Sequence, residues 1–305
     1  MSEHFTHIAV FEDCARLIQY APAFTEAFKS SLRNFYDNGL LGSTSRGNHL
    51  FAVPILEKWR DLWKDESLRQ EAEIKIAYAL GWILHRASDE QMKPLLRAVR
   101  AENHPVFNDF ENSVYHDAMS FRMVYGGGSV PSASANEYFT GAVFDYNLRS
   151  HPAAGAVAVS RIEPLLNRMW QRELLETNLF VEQENDFGQW LEKLLQVYPK
   201  FSEDFRAYEA AFQDPDPVKV KKYYDHVNWY DERDDLLQLV RSLQRGESPT
   251  VDLATALERA RTQSQYAQAI AKGYDYVRAA SDFFDYKLDK EVVYDATDMP
   301  KQFRF

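Results

Sequence analysis

Apolar positions recur at three- and four-residue steps along most of the chain, the spacing of one face of an α-helix. Residues 8–21 place Ile8, Phe11, Ala15, Leu17 and Ile18 on one side, and residues 51–65, 68–92 and 105–124 repeat the pattern. Further helices are predicted over 137–149, 156–176, 186–197, 202–212, 216–243, 251–263 and 264–288, with Pro152, Pro199, Pro215, Pro217 and Pro249 falling mainly between them. Strand-like alternation is scarce. Val292-Val293-Tyr294 is compatible with extended backbone but could not build a sheet. Residues 126–136, Gly-Gly-Gly-Ser-Val-Pro-Ser-Ala-Ser-Ala-Asn, read as a loop between 1–125 and 137–305, and the tail after Thr297 reads as irregular. No internal repeat has a fixed period. The expectation is one all-α domain over residues 1–305, a multi-helix bundle with additional C-terminal helices.

Composition refines this picture. Of 305 residues, 45% are hydrophobic and 27% charged, an ordinary globular balance that supports a buried core. Aromatics at 14% point to wide helix–helix interfaces or a ring-lined cavity. The net charge of −11, with no basic stripe, argues against gripping a nucleic-acid duplex or docking on an anionic membrane. It leaves room for a small phosphate-containing substrate where a metal reverses the local charge. Cys14 is the sole cysteine, so no intramolecular disulfide can form. The start, Met1-Ser2-Glu3-His4-Phe5, lacks a basic stretch followed by an apolar run, and no apolar stretch reaches the roughly 18 residues of a membrane span. Cytoplasmic placement is expected; oligomeric state is left open.

Chemistry concentrates in Ile76-Ala77-Tyr78-Ala79-Leu80-Gly81-Trp82-Ile83-Leu84-His85-Arg86-Ala87-Ser88-Asp89. His85 and Asp89, four residues apart, share one helix face. Imidazole and carboxylate at that spacing can ligate one divalent ion, or form an ordinary hydrogen-bonded pair. Gly81 lies one turn before His85 on the same face. A helix-interior glycine costs about 1 kcal/mol, so another backbone or a bound ion is expected to approach closely there.

Three segments resemble the helical family of zinc-dependent phospholipases C and single-strand nucleases. Thr6-His7-Ile8-Ala9 resembles its Thr-His opening, Gly42-Ser43-Thr44-Ser45-Arg46-Gly47-Asn48 its Gly-rich loop ending in a metal-binding aspartate, and Leu80–Asp89 its central Gly-x-x-x-His-x-x-x-Asp helix. The likeness covers about residues 4–125. It implies metal ligation by His7, Asn48, His85 and Asp89, with Glu111 as ligand or general base. The departures are specific. Asn48 stands in place of the aspartate, no histidine lies between Phe51 and Lys75, Lys93-Pro94 replaces His-Pro, and Phe107 breaks the later His-x-x-x-Glu pair ending at Glu111. A reduced site follows, with one zinc ion or none. The implied function is a metal-dependent phosphoester hydrolase of phospholipase C type. The alternative is a non-catalytic helical binding or scaffold protein that kept the fold and lost the metals.

Pro94 disfavours helical geometry at Lys93, so the His85 helix is expected to end there. Lys93 would then either pair with Asp89 or Glu111 in place of an ion, or face solvent at a helix C-terminus. His104, Glu111 and His116 read as solvated or capping groups, with Glu111 open to the role above. Asp231 and Asp235 resemble the acidic helix of class I terpene synthases, and a solvated acidic face is the simpler reading. Cys14 is expected in the core.

Overall fold

The computed structural model describes residues 4–44, 52–101, 109–126, 211, 215–225 and 227–297. All elements among these residues are helices: α1 His4–Tyr20, α2 Glu26–Asn34, α3 Tyr36–Thr44, α4 Ala52–Leu62, α5 Arg69–Ala101, α6 Asp109–Met123, α7 Pro217–Asp225, α8 Asp235–Gln244, α9 Leu253–Ala260, α10 Gln265–Phe284 and α11 Lys290–Ala296. The all-α, multi-helix expectation holds for them. The loop expected over 126–136 lies outside the described residues except at Gly126. The helices expected over 137–212 lie outside them apart from Ala211, and the tail after Thr297 lies outside them entirely.

The chain divides into two compact units. One joins Met1–Thr6 to Pro105–Lys222; the other joins His7–His104 to Tyr223–Phe305. In the second unit α5 is the hub, packed against α2, α3, α4 and α10. Ile76, Ala77, Leu80, Ile83, Leu84 and Ala87 are buried along it, spaced as a helix inserted among several neighbours requires. Its small residues let those neighbours come near. A Cβ on Gly81 would sit 1.8 Å from the carbonyl oxygen of Gly39, and one on Gly42 would sit 2.2 Å from that of Tyr78. Thus α3 and α5 meet backbone to backbone, and Gly81 is glycine because another chain segment occupies the space. Gly39 and Gly42 also explain why α3 escapes sequence reading: glycines that normally argue against helix are here the means of packing one. Gly42, Ser43 and Thr44, read from sequence as part of a loop, close this helix.

Three other expectations need correction. The segment 216–243 is two helices, α7 and α8. Between them Asn228 adopts φ 45°, and the carbonyls of Asn228 and Trp229 accept the Gln265 and Tyr266 amides at 2.9 and 3.0 Å. The break thus satisfies the first donors of α10, which a helix leaves without internal partners. Residues 292–294 are helical rather than extended, because Val293 and Tyr294 turn inward on one side of α11. Finally, α5 runs through Pro94 to Ala101 instead of ending near Lys93. A proline disfavours but does not forbid this, and Pro94 is exposed, so its ring needs no space in the core.

In the first unit, Phe5 packs on Phe121 and Tyr125 at ring separations of 5.3 and 5.8 Å. The Thr6 amide donates to Asp117 Oδ1 at 2.9 Å, and the Thr6 and Ser120 hydroxyls pair at 2.8 Å. The Asp216 amide donates to Tyr115 Oη at 2.9 Å, just before α7 opens on Pro217. His116, expected to be solvated or capping, is instead buried in α6, and burial pushes its imidazole down to about 3.

Candidate metal centre

His7 on α1 and His85 and Asp89 on α5 converge in the second unit. One ligand atom from each lies within 4.8 Å of the others, and all three residues are buried. His7 Nε2 stands 3.5 Å from Asp89 Oδ1, and His85 Nε2 stands 3.4 Å from Asp89 Oδ2. The two imidazoles stack with centroids 4.1 Å apart, and Trp82 lies 6.0 Å from the His85 ring on the preceding turn.

The glycine contact between α3 and α5 sets this geometry. It brings the carbonyl oxygen of Ser43 to 2.8 Å from His85 Nδ1. A carbonyl only accepts, so Nδ1 carries the hydrogen, and Nε2 is left facing the Asp89 carboxylate. A histidine whose second nitrogen donates to a backbone carbonyl is also the usual arrangement of a metal-binding imidazole.

Electrostatics point the same way. Burial, and then the neighbouring His85, push the His7 imidazole down to about 4 against the pull of Asp89, so His7 is neutral at pH 7. Burial alone would push the Asp89 carboxyl up, but the imidazoles of His7 and His85 outweigh it and hold it below the ordinary carboxylate range. The group is therefore two imidazoles and one carboxylate, a set that could hold a metal ion. Lys93, one turn past Asp89, places its ammonium on Asp89 Oδ2.

Asn48 lies outside the described residues. Glu111 is in α6, in the first unit, and its side chain also lies outside them. Asp231 precedes α8 and is bonded by Arg233 at 2.7–2.9 Å, whereas Asp235 opens α8 and receives Arg259 at 3.1 Å; they do not form one acidic helix face. Cys14 is in the core as expected, with Sγ 3.5 Å from the Ile270 carbonyl oxygen.

A second charged cluster is not apparent from sequence reading. Asp13, buried on α1, accepts Arg16 Nη1 at 2.7 Å and Tyr266 Oη at 2.8 Å, and it pairs with Arg241 of α8. This ties α1, α8 and α10 through one carboxylate. The available signal was an acidic pair, Glu12-Asp13, inside an otherwise apolar helix.

No protein-family model, no curated protein and no solved structure matches this chain.

Proposed function

We propose that this chain is a metal-dependent phosphoester hydrolase of phospholipase C type with a reduced metal site, in which His7, His85 and Asp89 hold one divalent ion, zinc in the first instance. The observation that carries the reading is the buried convergence of these three side chains, with ligand atoms within 4.8 Å of one another. Burying two imidazoles and a carboxylate together is costly unless something cationic is shared among them. In such a site a divalent ion supplies Lewis acidity toward a phosphoryl oxygen and a water nucleophile. The chain's own groups prepare the place for it. Ser43 fixes the orientation of His85 by accepting from its Nδ1, burial keeps His7 neutral, and Asp89 remains ionised to balance positive charge. A small phosphate-containing substrate and a cytoplasmic setting complete the reading.

The second reading is a non-catalytic helical binding or scaffold protein. It is favoured by the Lys93 ammonium, which already neutralises Asp89. Two measurements separate the readings: metal analysis of protein purified without chelators, and hydrolysis of a phosphodiester panel with added zinc or manganese. The hydrolase reading expects bound metal and a rate lost in His85→Ala and Asp89→Ala. Wild-type protein no faster than either variant would give way to the binding reading.

A further inference from the structure

Asp89 carries the convergence, and its two oxygens are used differently. Oδ1 faces His7 at 3.5 Å, while Oδ2 faces both Nε2 of His85 at 3.4 Å and the ammonium of Lys93. The Asp89 side chain is only 4% exposed, whereas that of Lys93 is 45% exposed. The lysine therefore reaches the buried carboxylate from the surface, with much of its stem in water.

An ammonium is a compact cation of single charge that cannot be a ligand while protonated. Where it stands, it supplies the positive charge that two imidazoles and a carboxylate call for. A divalent ion brought to the same oxygen would meet it at close range, with like charges in a buried setting. The two cations exclude each other, and the exposed stem gives the lysine a route out by side-chain rotation.

The backbone adds to this freedom. Lys93 precedes Pro94 inside α5, and Pro94 has no N–H to donate to the carbonyl of Glu90. The turn carrying Lys93 thus lacks one rung of its helical ladder. Arg86 is engaged with Glu90 one turn away at 2.5 Å, while Lys93 places its ammonium on Asp89.

We propose that the Lys93 ammonium is a tethered cation that occupies the place of a divalent ion at Asp89 and swings out when an ion binds, so that Lys93 sets the metal affinity of the site. The inference rests on the metal reading of His7, His85 and Asp89. It deepens that reading by naming the residue that opposes loading.

The test titrates zinc, with no substrate, into full-length wild type, Lys93→Gln, Lys93→Met and Lys93→Gln/His85→Ala, following affinity by calorimetry. The two single variants are expected to bind zinc at least tenfold more tightly than wild type, and the double variant to lose that gain. A second measurement uses wild type alone, so it does not depend on any variant folding. Amine-directed acetylation read by mass spectrometry should label Lys93 several-fold faster with zinc than without, because the displaced ammonium enters solvent. Equal zinc affinity in wild type and the Lys93 variants, or Lys93 labelling unchanged by bound zinc, would overturn the proposal and leave the metal site standing. Absence of zinc binding in every protein would overturn the metal reading itself, and this inference with it.

Discussion

Replacing Gly81 by alanine tests the contact on which the candidate site is built. A Cβ there would lie 1.8 Å from the Gly39 carbonyl oxygen and 2.8 Å from the Ser43 amide nitrogen, where ordinary contact begins at 3.4 Å. Both obstacles are backbone, so no side-chain rotation relieves them, and α3 must withdraw from α5 by roughly 1.6 Å, the difference between 3.4 and 1.8 Å. The same movement pulls the Ser43 carbonyl from His85, stretching a bond of 2.8 Å beyond hydrogen-bonding range. Overpacking of this kind costs about 1–3 kcal/mol, and a buried donor left without its acceptor costs about 1–3 kcal/mol more. Alanine returns about 1 kcal/mol through its better helix propensity. The net expectation is destabilisation by about 1–5 kcal/mol. Urea denaturation followed by tryptophan fluorescence reads it as a lower midpoint at unchanged slope. Gly273→Ala is the control: it meets Cys14 Sγ at 2.7 Å and Leu84 Cδ2 at 3.0 Å, side-chain atoms that can give way, and should cost less. Gly81→Ala as stable as wild type, or more stable, would refute the backbone contact and the positioning of His85 that depends on it.

Other outcomes are equally definite. His116 stays neutral when folded, with its imidazole at about 3 against 6.5, so the unfolded chain binds the extra proton between those values. Its contribution is intact above pH 6.5 and is lost as pH falls toward 3, by as much as about 5 kcal/mol; His116→Phe should flatten that slope in urea midpoints measured across pH. Asp13→Asn keeps an acceptor for Tyr266 but leaves the guanidiniums of Arg16 and Arg241 beside a neutral amide, and should cost about 3 kcal/mol or more in the same assay. Zinc at a hundredfold excess over its dissociation constant should stabilise wild type by about 2.7 kcal/mol, read as a higher melting temperature that chelator reverses and His85→Ala abolishes.

Helical periodicity in residues 8–21, 68–92 and 264–288 made α1, α5 and α10 legible directly, because each buries a face and repeated spacing is the one-dimensional trace of a buried face. The pairing of His85 with Asp89 was legible for a similar reason: four residues on a helix is a distance in space. What joins His7 to that pair is not local. Its place depends on how α1 lies against α5, and nothing in the spacing of 78 residues between His7 and His85 encodes it. The orientation of His85 depends on a backbone carbonyl at Ser43, a group every residue possesses, so no side-chain signal could have named it. Helix α3 was hidden because Gly39 and Gly42 carry the local signature of a loop; only α5 alongside turns that signature into close packing. The clamp on Asp13 was hidden likewise, since Arg241 and Tyr266 lie more than two hundred residues along the chain. Sequence by itself determined the periodic helices α1, α5 and α10 and the His85–Asp89 pair, because both follow from intervals of a few residues. The place of His7 beside that pair and the Ser43 carbonyl on His85 were decided by tertiary packing, because helix-to-helix placement follows from surfaces that meet only after folding.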